Sequence, residues 1–322
     1  MTIIIFCAKI YANKGVLEVI LYSLNAFVVF IYMKRSKKAM HDINFIKMHG
    51  CGNDYVYIDC FKESLSGINI PDLAIKISDR HFGVGGDGLV LICPCTEADA
   101  EMRMFNADGS EGNMCGNAIR CVGKYIFDSG YVNRNIVQIK TKSGTKKLTL
   151  NIKDNKAISV KVEMGKAEFE CKKIPVIYDY ENEMINKPVK IGGNTYNITC
   201  VSMGNPHCVV FTEEMPDIEK TGPLFENNII FPDRVNTEFA HIISPDKIKM
   251  RVWERGSGET FACGTGACAV VSAAVKNGFC KAGKPVTVIL KGGNLYITYT
   301  PDNVTMEGSA EIVFKGVYGY DK

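Results

Sequence analysis

The sequence has almost no excess of either charge. Its 38 Lys and Arg against 35 Asp and Glu leave +3 over 322 residues. A balance this even leaves no electrostatic footprint for a nucleic-acid partner. The basic runs that do occur, Lys34–Lys38 and Lys140–Lys147, have no interleaved aromatics and are expected on solvated faces. C-x-x-C is also missing, although there are thirteen cysteines. Cys93-Pro-Cys95 has no second pair at zinc-ligand spacing, which argues against a structural metal site. An odd number of scattered cysteines in a long chain does not make a secreted disulfide framework, so free thiols in a reducing cytoplasm are expected. A secretory signal is absent too. The apolar run at 15–33 has no positive charge before it and no small-residue cleavage site after it.

That run, "GVLEVILYSLNAFVVFIYM", has the length of a bilayer span but contains Glu18 and Asn25, and "KRSKK" follows it. An inserted run would hold the basic cluster, and the body of the protein, on the cytoplasmic side. The cost of Glu18 and Asn25 in hydrocarbon favours instead a start at Met40, where "MHDINFIKMHG" opens globular sequence. Membrane contact is expected only if 15–33 is a genuine anchor. At 46% hydrophobic and 23% charged, the chain reads as globular, with about two domains at roughly 150 residues each.

The body of the chain repeats itself. "MRMFNADGSEGNMCG" (102–116) aligns without gaps on "MRVWERGSGETFACG" (250–264), with Met, Arg, Glu, Cys and Gly coinciding at an offset of 148. "GNDYVYID" (52–59) resembles "GNPHCVVF" (204–211), and 137–155 resembles 286–303 in its alternation and glycine turn. A sustained register of this kind marks a duplicated unit. Period-two alternation predicts strands at 101–105, 136–141, 146–152, 157–163, 247–253, 286–290 and 294–300. Helices are expected at 71–80, 116–128 and 264–277. The fold class is therefore α+β: two pseudo-symmetric domains, each a mainly antiparallel sheet or barrel around a helix, with the active site in the cleft between them. The boundaries fall at 1–39 for the apolar extension, 40–160 for the first domain and 161–306 for the second.

The last two helices start at Cys115 and Cys263. A helix start offers free backbone N–H groups and partial positive charge, so a thiol there is expected to fall from about 8.5 toward or below neutrality. Gly116 and Gly264 let a ligand approach the backbone, and the same N–H groups suit a carboxylate. Inverting a carbon next to a carboxylate needs a base on one face and an acid on the other. One thiol per repeat supplies both.

"MHGCGNDYVYID", "FNADGSEGNMCGN", "VSMGNPHC" and "ERGSGETFACGTGACA" resemble the motifs of the diaminopimelate epimerase family, in order, from about Phe45 to the C-terminus. Proline racemases and phenazine-biosynthesis isomerases resemble that family in fold but lack this motif set. The resemblance implies interconversion of LL- and meso-diaminopimelate, on the route to lysine and peptidoglycan precursors, with no pyridoxal phosphate, metal or other cofactor. It implies Cys115 and Cys263 as acid and base, with Gly116-Asn117 and Gly264-Thr265 at the reacting carboxylate. Asn53, Asn106, Asn205, Asn236 and Arg255 would hold the rest of the amino-acid substrate, Arg255 gripping the distal carboxylate. Glu254 would take an ammonium group, and His207 would support the site. A homodimer and a last strand (307–322) returning to the first domain are implied as well. Two positions depart from the pattern: Gly88 in "GVGGDGLV", where glutamine is frequent, and Ala118, where glycine is common. Epimerisation of another amino acid on the same scaffold is the nearest alternative. A thiol–disulfide protein using Cys115 and Cys263 as a redox couple, and a membrane-tethered binding module, are alternatives of a different class.

Overall fold

The computed structural model describes residues 40–178 and 182–321, so the runs at 15–33 and 34–38 lie outside the described residues. The first repeat is built from β1 (Met40–Gly50), β2 (Asn53–Asp59), α1 (Ile70–Ser78), β3 (Gly88–Cys93), β4 (Ala100–Asn106), β5 (Glu111–Gly112), α2 (Gly116–Asp128), β6 (Ile136–Lys140), β7 (Lys146–Lys153) and β8 (Lys156–Gly165). After β9 (Lys187–Ile191) the second repeat runs β10 (Asn194–Ser202), β11 (Pro206–Phe211), α3 (Ile218–Glu226), β12 (Asn236–Ser244), β13 (Lys247–Glu254), β14 (Gly258–Glu259), α4 (Gly264–Lys276), β15 (Pro285–Leu290), β16 (Gly293–Tyr299) and β17 (Val304–Gly308). Strand β18 (Glu311–Asp321) ends the chain, and Phe314 on it meets Phe45 of β1 edge-on at 5.8 Å. The strands and helices expected from the sequence all form, with ends shifted by at most about two residues.

The two repeats share one pairing scheme. Antiparallel pairs are β1–β2, β3–β4, β6–β7 and β7–β8 in the first, and β10–β11, β12–β13, β15–β16 and β16–β17 in the second. Each repeat also has two parallel pairs: β2–β3 with β4–β6, and β11–β12 with β13–β15. Parallel neighbours need a crossover, and helices α1 to α4 are those crossovers. The repeats join where β8 and β17 pair antiparallel, Val162 opposite Met306.

Each cysteine-led helix is enclosed by its sheet. Helix α4, "GTGACAVVSAAVK", is buried from Gly266 to Ala274, which its small side chains permit. In α2 the core face is Ala118, Ile119, Cys121, Val122, Tyr125 and Ile126. Helix α3 was not expected. Gly222 and Pro223 inside it cost about 1 and 3 kcal/mol of intrinsic propensity, and they hide it from a local reading. Packing overrides them: a Cβ on Gly222 would sit 2.4 Å from the Trp253 ring, so glycine lets the helix lie flat on that indole. The repeat itself contained the signal, because α3 occupies the place of α1.

Candidate active site

The Arg and Glu shared by the two aligned segments do the same thing in each repeat. Arg103 pairs with Glu111 at 2.8 Å, and Arg251 with Glu259 at 2.7 Å. Each pair staples the short hairpin that leads into its cysteine, β4–β5 and β13–β14. Cys115 (φ −128°, ψ 123°) and Cys263 (φ −109°, ψ 110°) then sit as extended N-cap residues of α2 and α4. The glycine after each faces the same side chain. A Cβ on Gly116 would lie 2.6 Å from Met306 Cε, and one on Gly264 3.0 Å from Met306 Sδ. These glycines thus let both helix starts close on one methionine, a reason beyond the ligand approach expected from sequence.

Both thiols line a single cavity of about 640 Å³. Asn53, Asn106, Gly116, Asn117, Asn205, Asn236, Glu254, Arg255, Gly264 and Thr265 line it as well. His207 is the exception among the expected residues. It is fully buried behind the wall, with Nδ1 2.7 Å from Glu238 Oε1 and Nε2 3.0 Å from Asn205 Oδ1. Asn205 in turn donates to Thr265 Oγ1 at 3.4 Å, so His207 acts on the cavity through Asn205. Asn236 has both ends of its amide occupied: it donates to Pro206 O at 2.9 Å and accepts from the Arg255 N–H at 3.0 Å. Its visible work is to hold Arg255, whose guanidinium is steadied by Asp233 O at 2.7 Å. Asn106 donates to Ser110 Oγ at 2.9 Å, and Thr260 Oγ1 donates to Glu254 Oε1.

The sulfurs have different side-chain partners. Cys115 donates to Asn53 Oδ1 at 3.4 Å, whereas Cys263 accepts the Gly266 N–H at 3.3 Å and touches Thr265 Oγ1 at 3.4 Å. Asn117 donates to Asn53 Oδ1 and to Ala262 O, both at 3.2 Å, leaving its own buried Oδ1 without a partner. Beneath α2 the fully buried Arg120 donates to Gly116 O at 3.1 Å and Ser309 O at 3.3 Å, and forms no ion pair among the described residues.

The expectation of depressed thiols is corrected. Burial raises Cys115 above its ordinary value, against the pull of the Asn117 and Ala118 N–H groups. Burial, reinforced by the Glu254 and Glu238 charges, raises Cys263 well above its own. Desolvation of the charged form outweighs what one helix start returns. Glu254 is likewise raised by burial, with Thr260 and His207 opposing.

Several residues were invisible to sequence reasoning. Tyr55, 5% exposed and at the repeat position of His207, lines the cavity, and burial and the neighbouring Cys115 push its hydroxyl upward. It also explains Gly88: a Cβ there would lie 2.1 Å from Phe105 O and 2.9 Å from the Tyr55 ring. Ala118 packs in the core, away from the cavity. Lys146, Lys166 and Ser143 also line the cavity, so the basic run at 140–147 is only partly a solvated face. A carboxylate inside the apolar strand β12 was a readable signal for Glu238. Among the described residues no three His, Cys, Asp or Glu side chains cluster to hold a metal ion.

A two-repeat α+β sheet enclosing paired helix starts, each led by a cysteine, is a fold this chain shares with solved epimerases and isomerases. Solved neighbours agree at the level of fold. A hydroxyproline epimerase from Agrobacterium vitis superposes with TM-score 0.62 at 15% identity, covering 89% of this chain and 94% of its own. A phenazine biosynthesis protein of the PhzF family from Bacillus anthracis gives TM-score 0.64 at 15% identity, covering 87% and 99%. Within that class the sequence is specific. The diaminopimelate epimerase family profile matches residues 45–170 and 199–313. The diaminopimelate epimerase of Acetivibrio thermocellus is 51% identical over 278 residues, covering 85% of this chain and 98% of the relative. That of Methanococcus maripaludis is 45% identical over 278 residues, covering 85% and 99%. This chain belongs to the diaminopimelate epimerase family and is an isomerase.

Proposed function

We propose that this chain interconverts LL- and meso-2,6-diaminopimelate with Cys115 and Cys263 as its acid–base pair. The observation that carries the reading is that both N-cap thiols open into one cavity. One sulfur, as thiolate, takes the α-proton and becomes a thiol; the other, as thiol, returns a proton to the opposite face and becomes the thiolate. The backbone N–H groups at the two helix starts stabilise the charge that develops on the adjacent carboxylate. Raised thiols suit such proton transfer, because the thiolate of a weaker acid is the stronger base toward a weakly acidic C–H. Glu254 takes an ammonium group, and Arg255 receives the distal carboxylate, with Lys146 and Lys166 as further cationic partners at the rim. The described cysteines are free thiols, which supports work in a reducing cytoplasm. Val313, Phe314 and Val317, exposed on β18, support a homodimer.

The test is incubation with LL-diaminopimelate in deuterated water, under reducing conditions and without added cofactor. The meso isomer should appear with deuterium at one α-carbon. No isomerisation and no α-exchange would sink the proposal.

A further inference from the structure

The loop "GVGGDGLV" ahead of β3 has no role in the chemistry so far, yet its shape is dictated by close contacts on both sides of Asp87. A Cβ on Gly86 would lie 2.7 Å from Lys47 Nζ, and one on Gly88 2.1 Å from Phe105 O. The two glycines let the backbone lie against β1 and β4, which brings the carboxylate of Asp87 to the amide of Asn53. Asn53 Nδ2 donates to Asp87 Oδ2 at 2.6 Å, and the Asp54 N–H donates to the same oxygen at 3.1 Å. The carboxylate is itself pinned. Arg80 Nη2 lies 2.8 Å from Asp87 Oδ1 and 2.8 Å from Asp54 Oδ1. Buried Lys47 pairs with Asp54 from the other side at 2.5 Å. Burial works against the Asp54 charge, but Arg80 and Lys47 hold its carboxyl below the usual value.

An ionised carboxylate only accepts hydrogen bonds, so it selects the nitrogen end of the Asn53 amide. The oxygen end must then face the cavity, where it meets Cys115 at 3.4 Å and Asn117 Nδ2 at 3.2 Å. The polarity is consistent along the whole line: Asn117 Nδ2 also donates to Ala262 O, next to Cys263. We infer that Asp87 is a positioning residue that fixes the Asn53 amide so that Cys115 meets an acceptor and is held as the thiol. The inference rests on Cys115 being one of the acid–base pair. Asp87 does not line the cavity and touches no reacting atom.

The readout is the alkylation rate of each cysteine by iodoacetamide near neutral pH, resolved by peptide mass spectrometry. Asp87→Asn frees the amide to turn or loosen, weakens the acceptor, and should speed alkylation of Cys115 about fivefold while Cys263 keeps its rate. Asn53→Ala should speed Cys115 similarly, and adding Asp87→Asn to it should change nothing further. That second comparison separates the proposed route from a direct field effect of the Asp87 charge on the sulfur. An unchanged or slower Cys115 in Asp87→Asn overturns the inference, as does equal acceleration in the Asn53→Ala background. Acceleration at every cysteine would mean general loosening and would overturn it as well. The rate needs no turnover, so failure to epimerise diaminopimelate and failure of this inference are separate results.

Discussion

Cys115 and Cys263 occupy equivalent positions in the two repeats but not equivalent environments. Cys115 is partly exposed, gives its proton toward the Asn53 oxygen, and feels the Asn117 and Ala118 N–H groups of its helix start. Cys263 is 5% exposed, caps α4 by accepting the Gly266 N–H, and lies in the field of Glu254 and Glu238. The residues behind them diverge in the same way. Tyr55 stands behind the first; a buried His207–Glu238 pair, relayed by Asn205, stands behind the second. Duplication gives the two thiols matching backbone positions, and divergence gives them unequal surroundings.

The most severe challenge to the equivalence is deletion of each thiol. Cys115→Ala and Cys263→Ala should each lower turnover by about 10²- to 10⁴-fold with the circular dichroism spectrum unchanged. Near-normal isomerisation in either variant, read by α-deuterium incorporation, would break the pairing. A second comparison sets the backing residues against each other. His207→Ala leaves the buried Glu238 carboxyl without its hydrogen-bond partner and should cost about 3 kcal/mol of stability in urea unfolding. Tyr55→Phe removes one hydroxyl and should cost about 1 kcal/mol. Equal losses would mean that the second repeat does not depend on its buried His207–Glu238 hydrogen bond.

The last comparison concerns pH. Burial raises both site thiols and pushes Cys121 and Cys268 up to about 12, so the folded state keeps protons that the unfolded chain gives up. Stability from these groups is complete below about pH 8.5 and falls as pH rises further, by about 1.4 kcal/mol per pH unit for each thiol until its folded value is reached. Urea midpoints taken at increasing pH should show this decline, and Cys268→Ala should flatten it by one thiol's share. A flat profile above the ordinary thiol value would show that burial does not govern these sulfurs.

Much of this organisation was legible in the chain. The repeat, the helix starts at 116 and 264 and the strands around them follow from periodicity and self-similarity, which are local properties. Helix α3 was lost because Gly222 and Pro223 break the local pattern, and the indole that tolerates them lies about thirty residues on, at Trp253. The expected low thiol pKa failed because a helix start is visible in sequence and the depth of burial is not. Lys166 enters the cavity by tertiary placement alone, and nothing in its neighbours along the chain marks it; Tyr55 was marked only by its repeat position opposite His207. Asn236 was included by resemblance; its contacts show how it contributes, by bracing Arg255.

Met306 remains. One thioether fills the space against both Gly116 and Gly264, so the two copies share a spacer that belongs to neither cysteine's own segment. A side chain added at either glycine would press on the same thioether. The two repeats are therefore tied to one side chain where their cysteine-led helices begin.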